Sequence, residues 1–205
     1  MLASITPLGE RGRRNRWVLT VVAYELGSLA GGAAMGAAFG AVGLGLRATL
    51  LAGATSRAVL AAVVASSALL LEVAQARGLV TLPSVHRQVD KAWLDRYRGW
   101  IYGVGFGAQL GAGLVTIVNS AAMYALAGVI LILGSPLAGL AVGGAFGLAR
   151  ALPLLAFGRA DDFAALQRVH RVLGRLARPS LAATITALAG SSVAFVAVSV
   201  ASSAR

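Results

Sequence analysis

The sequence predicts an all-α polytopic membrane protein with about five transmembrane helices and two amphipathic helices at the cytoplasmic membrane interface. The chain is 58% hydrophobic, with a mean hydropathy of +0.81, and 12% of its 205 residues are charged. That charged content is about half of the usual value for soluble domains. Residues 99–149 contain no charged side chain. Basic residues cluster in alternate connections between the apolar stretches, which is typical of membrane proteins.

The uncharged stretch is long enough to cross a bilayer twice, because about 20 apolar residues suffice for one crossing. A Ser135-Pro136 pair supplies the turn between the two crossings. Other apolar stretches supply three further spans. We therefore predict a basic cytoplasmic segment 1–16, followed by a single transmembrane domain 17–203. Its spans are expected at about residues 17–46, 58–76, 100–133, 137–157 and 181–203.

The third span is too long for one straight crossing. As a continuous helix it would reach about 51 Å, whereas the hydrocarbon core of a bilayer is about 30 Å thick. It also contains glycines and polar side chains where lipid favours leucine. The sequence thus predicts a helix that is broken or tilted.

The distribution of charge predicts the orientation. Fourteen basic residues lie before the first span, between the second and third spans, or between the fourth and fifth spans. The other side has three, Arg47, Arg57 and Arg205, and Arg150 lies inside the fourth span. The positive-inside rule places the N-terminus in the cytoplasm and the C-terminus outside. The expected partner of the basic residues is the lipid bilayer rather than nucleic acid. The preference for arginine over lysine suggests a bacterial genome rich in G and C, and the expected location is the bacterial inner membrane.

Two connections carry helical periodicity and are predicted to be interfacial helices. The first, about residues 84–98, repeats apolar side chains at three- to four-residue spacing from Val85 to Trp100. The second, about residues 162–177, begins with Asp161 or Asp162 as its N-cap, and Pro179 is expected to end it. Its apolar stripe consists of Phe163, Leu166, His170, Leu173 and Leu176. Packing and anchoring at the surface are favoured over docking of a partner.

Two charged residues fall clearly inside predicted spans. Glu25 lies in the first span and Arg150 in the fourth, both roughly 10–12 Å from the cytoplasmic face. An unpaired charge in a membrane costs at least about 2.5–3.5 kcal/mol, so we predict an intramembrane ion pair between them that acts as a clamp or as a gate. The alternative is that Arg150 reaches the headgroups while Glu25 is protonated.

The polar side chains of the third span have two interpretations. Small and polar residues at three- and four-residue spacing form one face of the helix, which favours close helix packing at Gly105 and Gly113. Alternatively, polar side chains line a site near the midplane, where a broken helix binds a solute. The candidate lining residues are Gln109, Thr116, Asn119 and Ser120. Pro153 is a further predicted break, near the end of the fourth span.

Several kinds of chemistry are not expected. The chain has no cysteine, which excludes disulfides, thiolate metal sites and thiol redox chemistry. His86 and His170 lie on different predicted helices, so no metal site is expected. The glycines of residues 102–107 fail the dinucleotide pattern at Ala108. No cofactor and no enzymatic activity are predicted.

A weak repeat relates the first and fourth spans. Residues 23–27 read AYELG and residues 145–149 read AFGLA. Under the predicted topology the two spans run in opposite directions, as inverted repeats of transporters do.

These segments resemble the CcdA/DsbD transmembrane family, which moves reducing equivalents across the bacterial inner membrane. Residues 102–112, YGVGFGAQLGA, resemble the family pattern FGLGWxPCxGP of its fourth helix. Residues 145–155, AFGLARALPLL, are similar to its fifth helix, AYxLGxxLPFL. The resemblance implies a related scaffold that lacks the family's first helix.

The departures from this family concern its chemistry. Gln109 stands where the family has a reactive cysteine, and Ala108 replaces the proline before it. Glutamine cannot exchange disulfides, so redox activity is not implied. We expect a small-solute transporter-like protein or transporter subunit. The alternative is a structural or assembly component of a membrane complex, in which a partner helix or a second copy of the chain fills an open groove.

Overall fold

The computed structural model describes residues 5–12, 14–49, 52–81, 96–113, 120–159 and 162–203. These residues are helical, without a strand, which confirms the all-α prediction. The described α-helices are α1 (Pro7–Gly12), α2 (Trp17–Thr49), α3 (Ala54–Ala76), α4 (Gly99–Ala112), α5 (Ala122–Leu133), α6 (Pro136–Ala151) and α7 (Phe163–Ser203). A 3₁₀ helix, Leu152–Arg159, continues α6.

Within the described ranges, four helical segments are long and apolar enough to cross a membrane. They are Trp17–Thr49, Ala54–Ala76, Pro136–Gly158 and Phe163–Ser203. The first three correspond to predicted spans one, two and four. Their length and composition indicate an integral membrane protein.

The predicted third span is divided into α4 and α5, of 14 and 12 residues. Helix α4 ends because Gly113 adopts the left-handed conformation, with φ +74°. Glycine occupies this region without the steric cost that a β-carbon imposes. Helix α4 therefore ends at Ala112 and α5 begins at Ala122, while residues 114–119 lie outside the described residues.

The predicted stop at Pro179 is wrong. The interfacial helix 162–177 and the span 181–203 form one 41-residue helix, α7, with Pro179 inside it. Proline removes a single backbone hydrogen bond, and the other bonds of a long helix continue on both sides. The predicted N-cap is present, since Asp162 Oδ1 accepts from the Ala165 amide at 2.5 Å. Most of the first predicted interfacial helix, residues 82–95, lies outside the described residues.

The chain divides into two compact units. Unit 1 contains Met1–Met35, Val85–Thr116 and Ala141–Ala177. Its apolar core consists of Ile5, Val21, Tyr24, Tyr102, Phe106, Ala151, Leu154 and Phe157. Leu166 and Leu173 of the predicted amphipathic stripe pack against this core, and the His170 ring meets the Phe157 ring edge-on at 5.4 Å. Phe163 and Leu176 of the same stripe are exposed.

Glycines at four-residue spacing bring α4 against α2 in unit 1. A β-carbon at Gly103 or Gly107 would collide with the backbone of α2, and one at Gly111 would overlap the carbonyl oxygen of Ser28. Small residues at this spacing let helix backbones approach closely in membranes. Gly105, the glycine predicted to support close packing, is half-buried.

Ser28 joins three helices of unit 1. It is fully buried, and its hydroxyl donates to the carbonyl oxygen of Gly147 on α6 at 2.7 Å. A β-carbon at Gly147 would overlap the Ser28 carbonyl oxygen, as one at Gly111 of α4 would. Because Gly111 and Gly147 have no side chains, the backbones of α4 and α6 can both contact α2 at Ser28.

Unit 2 contains Gly36–Ser84, Ile117–Leu140 and Arg178–Arg205. Helices α3 and α5 pack through a small apolar core of Ala68, Ala121, Ala125 and Leu188. At the end of α5, Arg47 of α2 donates to the Leu133 carbonyl oxygen at 2.9 Å, and Gly134 closes the helix with φ +54°. A cation at this position also favours the helix dipole.

We predict that Gly107→Ala destabilises the protein, because the added β-carbon meets the Tyr24 backbone. Overpacking of this kind costs about 1–3 kcal/mol, which lowers the melting temperature in detergent by several degrees. Gly190→Ala is the matched control, since Gly190 also lies in a helix and has open space around it. Equal melting temperatures for the two variants would contradict this account of the packing.

Candidate functional site

The candidate site is described at two helix ends, each within its own unit: the C-terminal end of α4 in unit 1 and the N-terminal end of α5 in unit 2. The amide of Gly113 donates to the Leu110 carbonyl oxygen at 3.2 Å. The same oxygen accepts a second hydrogen bond, from Arg150 Nη1 of α6, also at 3.2 Å. Carbonyls in the last turn of a helix lack intrahelical donors and carry partial negative charge. Arg150 therefore satisfies the broken end of α4 with a cation.

The predicted ion pair between Glu25 and Arg150 is not formed as a hydrogen-bonded pair. Both Glu25 carboxyl oxygens are buried, and neither has a hydrogen-bond partner among the described residues. The Arg150 guanidinium instead reaches Leu110 and lies over the Phe146 ring, 5.6 Å from its centroid. The Leu110 carbonyl oxygen and the Phe146 ring thus take the place that we predicted for the Glu25 carboxylate beside Arg150.

The start of α5, in unit 2, is satisfied by an anion. Glu72 of α3 is 4% exposed, and its Oε2 accepts from the Ala121 amide at 2.6 Å. The Ser120 hydroxyl donates to the same oxygen at 3.0 Å and accepts from the Ala122 amide at 3.2 Å. Amides in the first turn of a helix have no intrahelical acceptor. Glu72 and Ser120 together supply the missing acceptors.

Each broken end thus receives the charge that its helix dipole favours, from within its own unit. The carboxylate of Glu72 meets the positive N-terminal end of α5, and the guanidinium of Arg150 meets the negative C-terminal end of α4. Such contacts contribute about 0.3–1 kcal/mol at exposed sites, and up to about 2 kcal/mol when partly buried. They also offset the cost of placing charged groups in a membrane.

The predicted site residues are distributed over both sides of the break. Gln109 is half-buried in the last turn of α4, and Ser120 belongs to the cap of α5. Thr116 and Asn119 lie outside the described residues. Gly113 ends α4, and Pro153 lies where α6 gives way to the 3₁₀ helix. A role for Gln109 and Ser120 in lining a solute site remains a prediction.

Sequence reasoning missed Glu72. It lies inside the second predicted span, 58–76, one turn before the end of that span. The available signal was a carboxylate inside an otherwise apolar helix, which the membrane tolerates only with partners. Those partners are 48 and 49 residues away in the chain, so spacing could not identify them.

A second buried carboxylate, Glu10 of α1, was also missed. It is fully buried in unit 1 and accepts hydrogen bonds from the Tyr102 hydroxyl and, at 3.0 Å, from the Thr20 hydroxyl. Asn15 Nδ2 donates to the Tyr102 hydroxyl at 3.4 Å. The signal was a single acidic residue in a segment of four arginines. The N-terminal segment is therefore packed into unit 1 through its acid.

The described residues contain no group of three or more histidine, aspartate or glutamate side chains arranged to hold a metal ion. His170 Nδ1 lies 3.0 Å from the Leu166 carbonyl oxygen of its own helix.

We predict that Glu72→Ala destabilises the protein more than Glu72→Gln. Alanine leaves the Ala121 amide and the Ser120 hydroxyl without an acceptor, at a cost of about 1–3 kcal/mol, whereas glutamine retains a carbonyl oxygen. Thermal unfolding in detergent measures both effects. Ser191→Ala is the control, because that exposed hydroxyl bonds only to the Ala187 carbonyl oxygen of its own helix. A Glu72→Ala variant as stable as this control would contradict the capping role.

Comparison of the chain with protein-family models, curated proteins and solved structures gives no match.

Proposed function

We propose that this integral membrane protein is a small-solute transporter-like protein of a bacterial inner membrane, or the membrane subunit of a transporter. The observation that carries the proposal is that, within the predicted third span, α4 ends at Ala112 and α5 begins at Ala122. Each described end of the interruption is capped by a charged side chain from a neighbouring helix, Arg150 or Glu72.

A break in a membrane-spanning helix raises the free energy of the folded protein. A continuous helix satisfies its own backbone groups, whereas an interruption leaves amides and carbonyls that lipid cannot satisfy. Transporters place such interruptions at their binding sites, because half-helix ends present oriented dipoles to solutes and ions. Arg150 and Glu72 place charged side chains at these helix ends. Charged side chains inside a membrane favour a role in solute binding over a role in packing alone.

The packing of unit 1 supports the proposed inverted repeat. The contacts of Ser28 with Gly147 and of Gly32 with Gly143 show that α2 and α6 run antiparallel. Residues 23–27 and 145–149, which form the weak repeat, lie in this pair of helices. We also propose the CcdA/DsbD-like scaffold without thiol chemistry, in which Gln109 occupies the last turn of the first half-helix.

The alternative is a structural or assembly component that binds a partner helix or a second copy of the chain. The observation that favours it is the exposure of α7, where only 11% of the most apolar stretch is buried in the structure. Lipid covers such a face in a monomer, and a partner helix covers it in a complex.

Flux through proteoliposomes tests the transport proposal. We expect the wild-type protein to accelerate entry of at least one of four probes: glycerol, urea, sodium acetate or potassium chloride. Glu72→Gln and Arg150→Met remove a charge from one helix end each and should reduce that flux several-fold. Gly190→Ala, which adds a methyl group in open space, should leave it unchanged.

Folded protein that admits none of the four probes faster than empty liposomes would contradict transport of these solute classes. A stable dimer under the same conditions would then favour the structural alternative. If flux occurs but is unaffected by either helix-end substitution, the transport path does not involve the break.

A further inference from the structure

We propose that Glu25 is a proton-binding site within the membrane, whose carboxyl group takes up and releases a proton. Glu25 lies in α2, and both its carboxyl oxygens are buried. Neither oxygen has a hydrogen-bond partner among the described residues. The inference concerns a ligand, the proton, that the proposed function does not require.

The other described buried carboxyl groups provide the comparison. Glu10 accepts from two hydroxyl groups, and Glu72 accepts from a hydroxyl and a backbone amide. Such donors favour the charged form of a carboxyl group. Glu25 has neither kind of donor. Glu25 therefore lacks the hydrogen-bond donors that would stabilise the charged form of its carboxyl group.

Two ionisable side chains act in the same region of unit 1. Tyr24, which precedes Glu25 in α2, is buried and belongs to the apolar core of unit 1. Arg150, from α6, directs its guanidinium at the Leu110 carbonyl oxygen and the Phe146 ring. The cation that could have held Glu25 ionised is thus engaged elsewhere.

An unpaired carboxylate in this position is expensive, and protonation removes the charge. Insertion of a charged side chain near the middle of a membrane helix costs at least about 2.5–3.5 kcal/mol. A buried acid without partners takes up a proton instead of remaining ionised. The neutral acid still has one O–H donor and a carbonyl acceptor without partners. A neutral carboxyl group without hydrogen-bond partners does not hold helices together. We therefore assign it a role in proton exchange.

Dicyclohexylcarbodiimide tests this directly, because it enters membranes and reacts with protonated carboxyl groups in apolar surroundings. The acid O–H adds across one C=N bond to give an O-acylisourea, which rearranges to a stable N-acylurea without loss of any group. We expect one adduct per chain, mapped to Glu25 by mass spectrometry of the full-length protein in proteoliposomes. The yield should fall as pH rises, because the ionised form does not undergo this addition.

Two variants make the result specific. Glu25→Gln should abolish the adduct, whereas Glu72→Gln should retain it, because the capped acid is not the reactive one. Infrared spectroscopy gives a second readout, in which the band of a protonated carboxyl disappears in Glu25→Gln protein. An adduct on Glu72 or Glu10 instead of Glu25 would overturn the proposal. Absence of both the Glu25 adduct and the infrared band in folded protein would do the same.

The outcome is separable from that of the proposed function. Labelling and the infrared band report protonation of Glu25 whether or not the liposomes admit a solute. Solute flux without a protonated Glu25 would overturn this inference alone, and a protonated Glu25 without flux would overturn transport alone.

Discussion

The main constraint on this structure is that the backbone groups at the C-terminal end of α4 and at the N-terminal end of α5 need hydrogen-bond partners from outside their own helices. A membrane interior offers no water to satisfy them, so the protein must supply donors and acceptors from other helices. Arg150 meets the carbonyl end of α4, while Glu72 and Ser120 meet the amide end of α5. These charges are placed where the helix dipoles favour them. These contacts hold α6 against the end of α4 in unit 1, and α3 against the start of α5 in unit 2.

Close packing of α4 and α6 on α2 brings Arg150 within hydrogen-bonding distance of α4. Glycines spaced by four residues let α4 lie directly on α2, and the same small-residue chemistry brings α6 to Ser28. Hydrophobic burial contributes little to association of helices in lipid, so backbone proximity and interhelical hydrogen bonds become more important. The short approach between these helices allows the Arg150 side chain of α6 to reach a carbonyl of α4.

Features set by local chemistry were predictable from the sequence. The excess length of the third span predicted a broken or tilted helix, and Gly113, named there for helix packing, is the residue at which α4 ends. Asp162 was one of two candidate N-caps, because an N-cap side chain accepts a hydrogen bond from a backbone amide only three residues later in the chain. The four segments long enough to cross a membrane follow from apolar length alone.

Features set by contacts between distant segments were not predictable. Glycines occupy more than one face of α4, and only the position of α2 determines that Gly103, Gly107 and Gly111 face it. Glu25 and Arg150 were paired by similar depth, but depth does not specify which way a side chain points or what competes for it. Pro179 was read as a helix stop, although a long helix continues around one missing hydrogen bond.

The most direct test of the account is amide hydrogen exchange at Ala121, followed by NMR of protein labelled with ¹⁵N-alanine. Ala121 precedes α5, so its amide has no helical acceptor, and Glu72 is the acceptor that the structure assigns. We expect slow exchange in the wild-type protein and much faster exchange in the Glu72→Ala variant, with the Ala68 amide inside α3 as an internal reference. Rapid exchange of Ala121 in the wild-type protein, or equal exchange in both proteins, would contradict a break capped by Glu72.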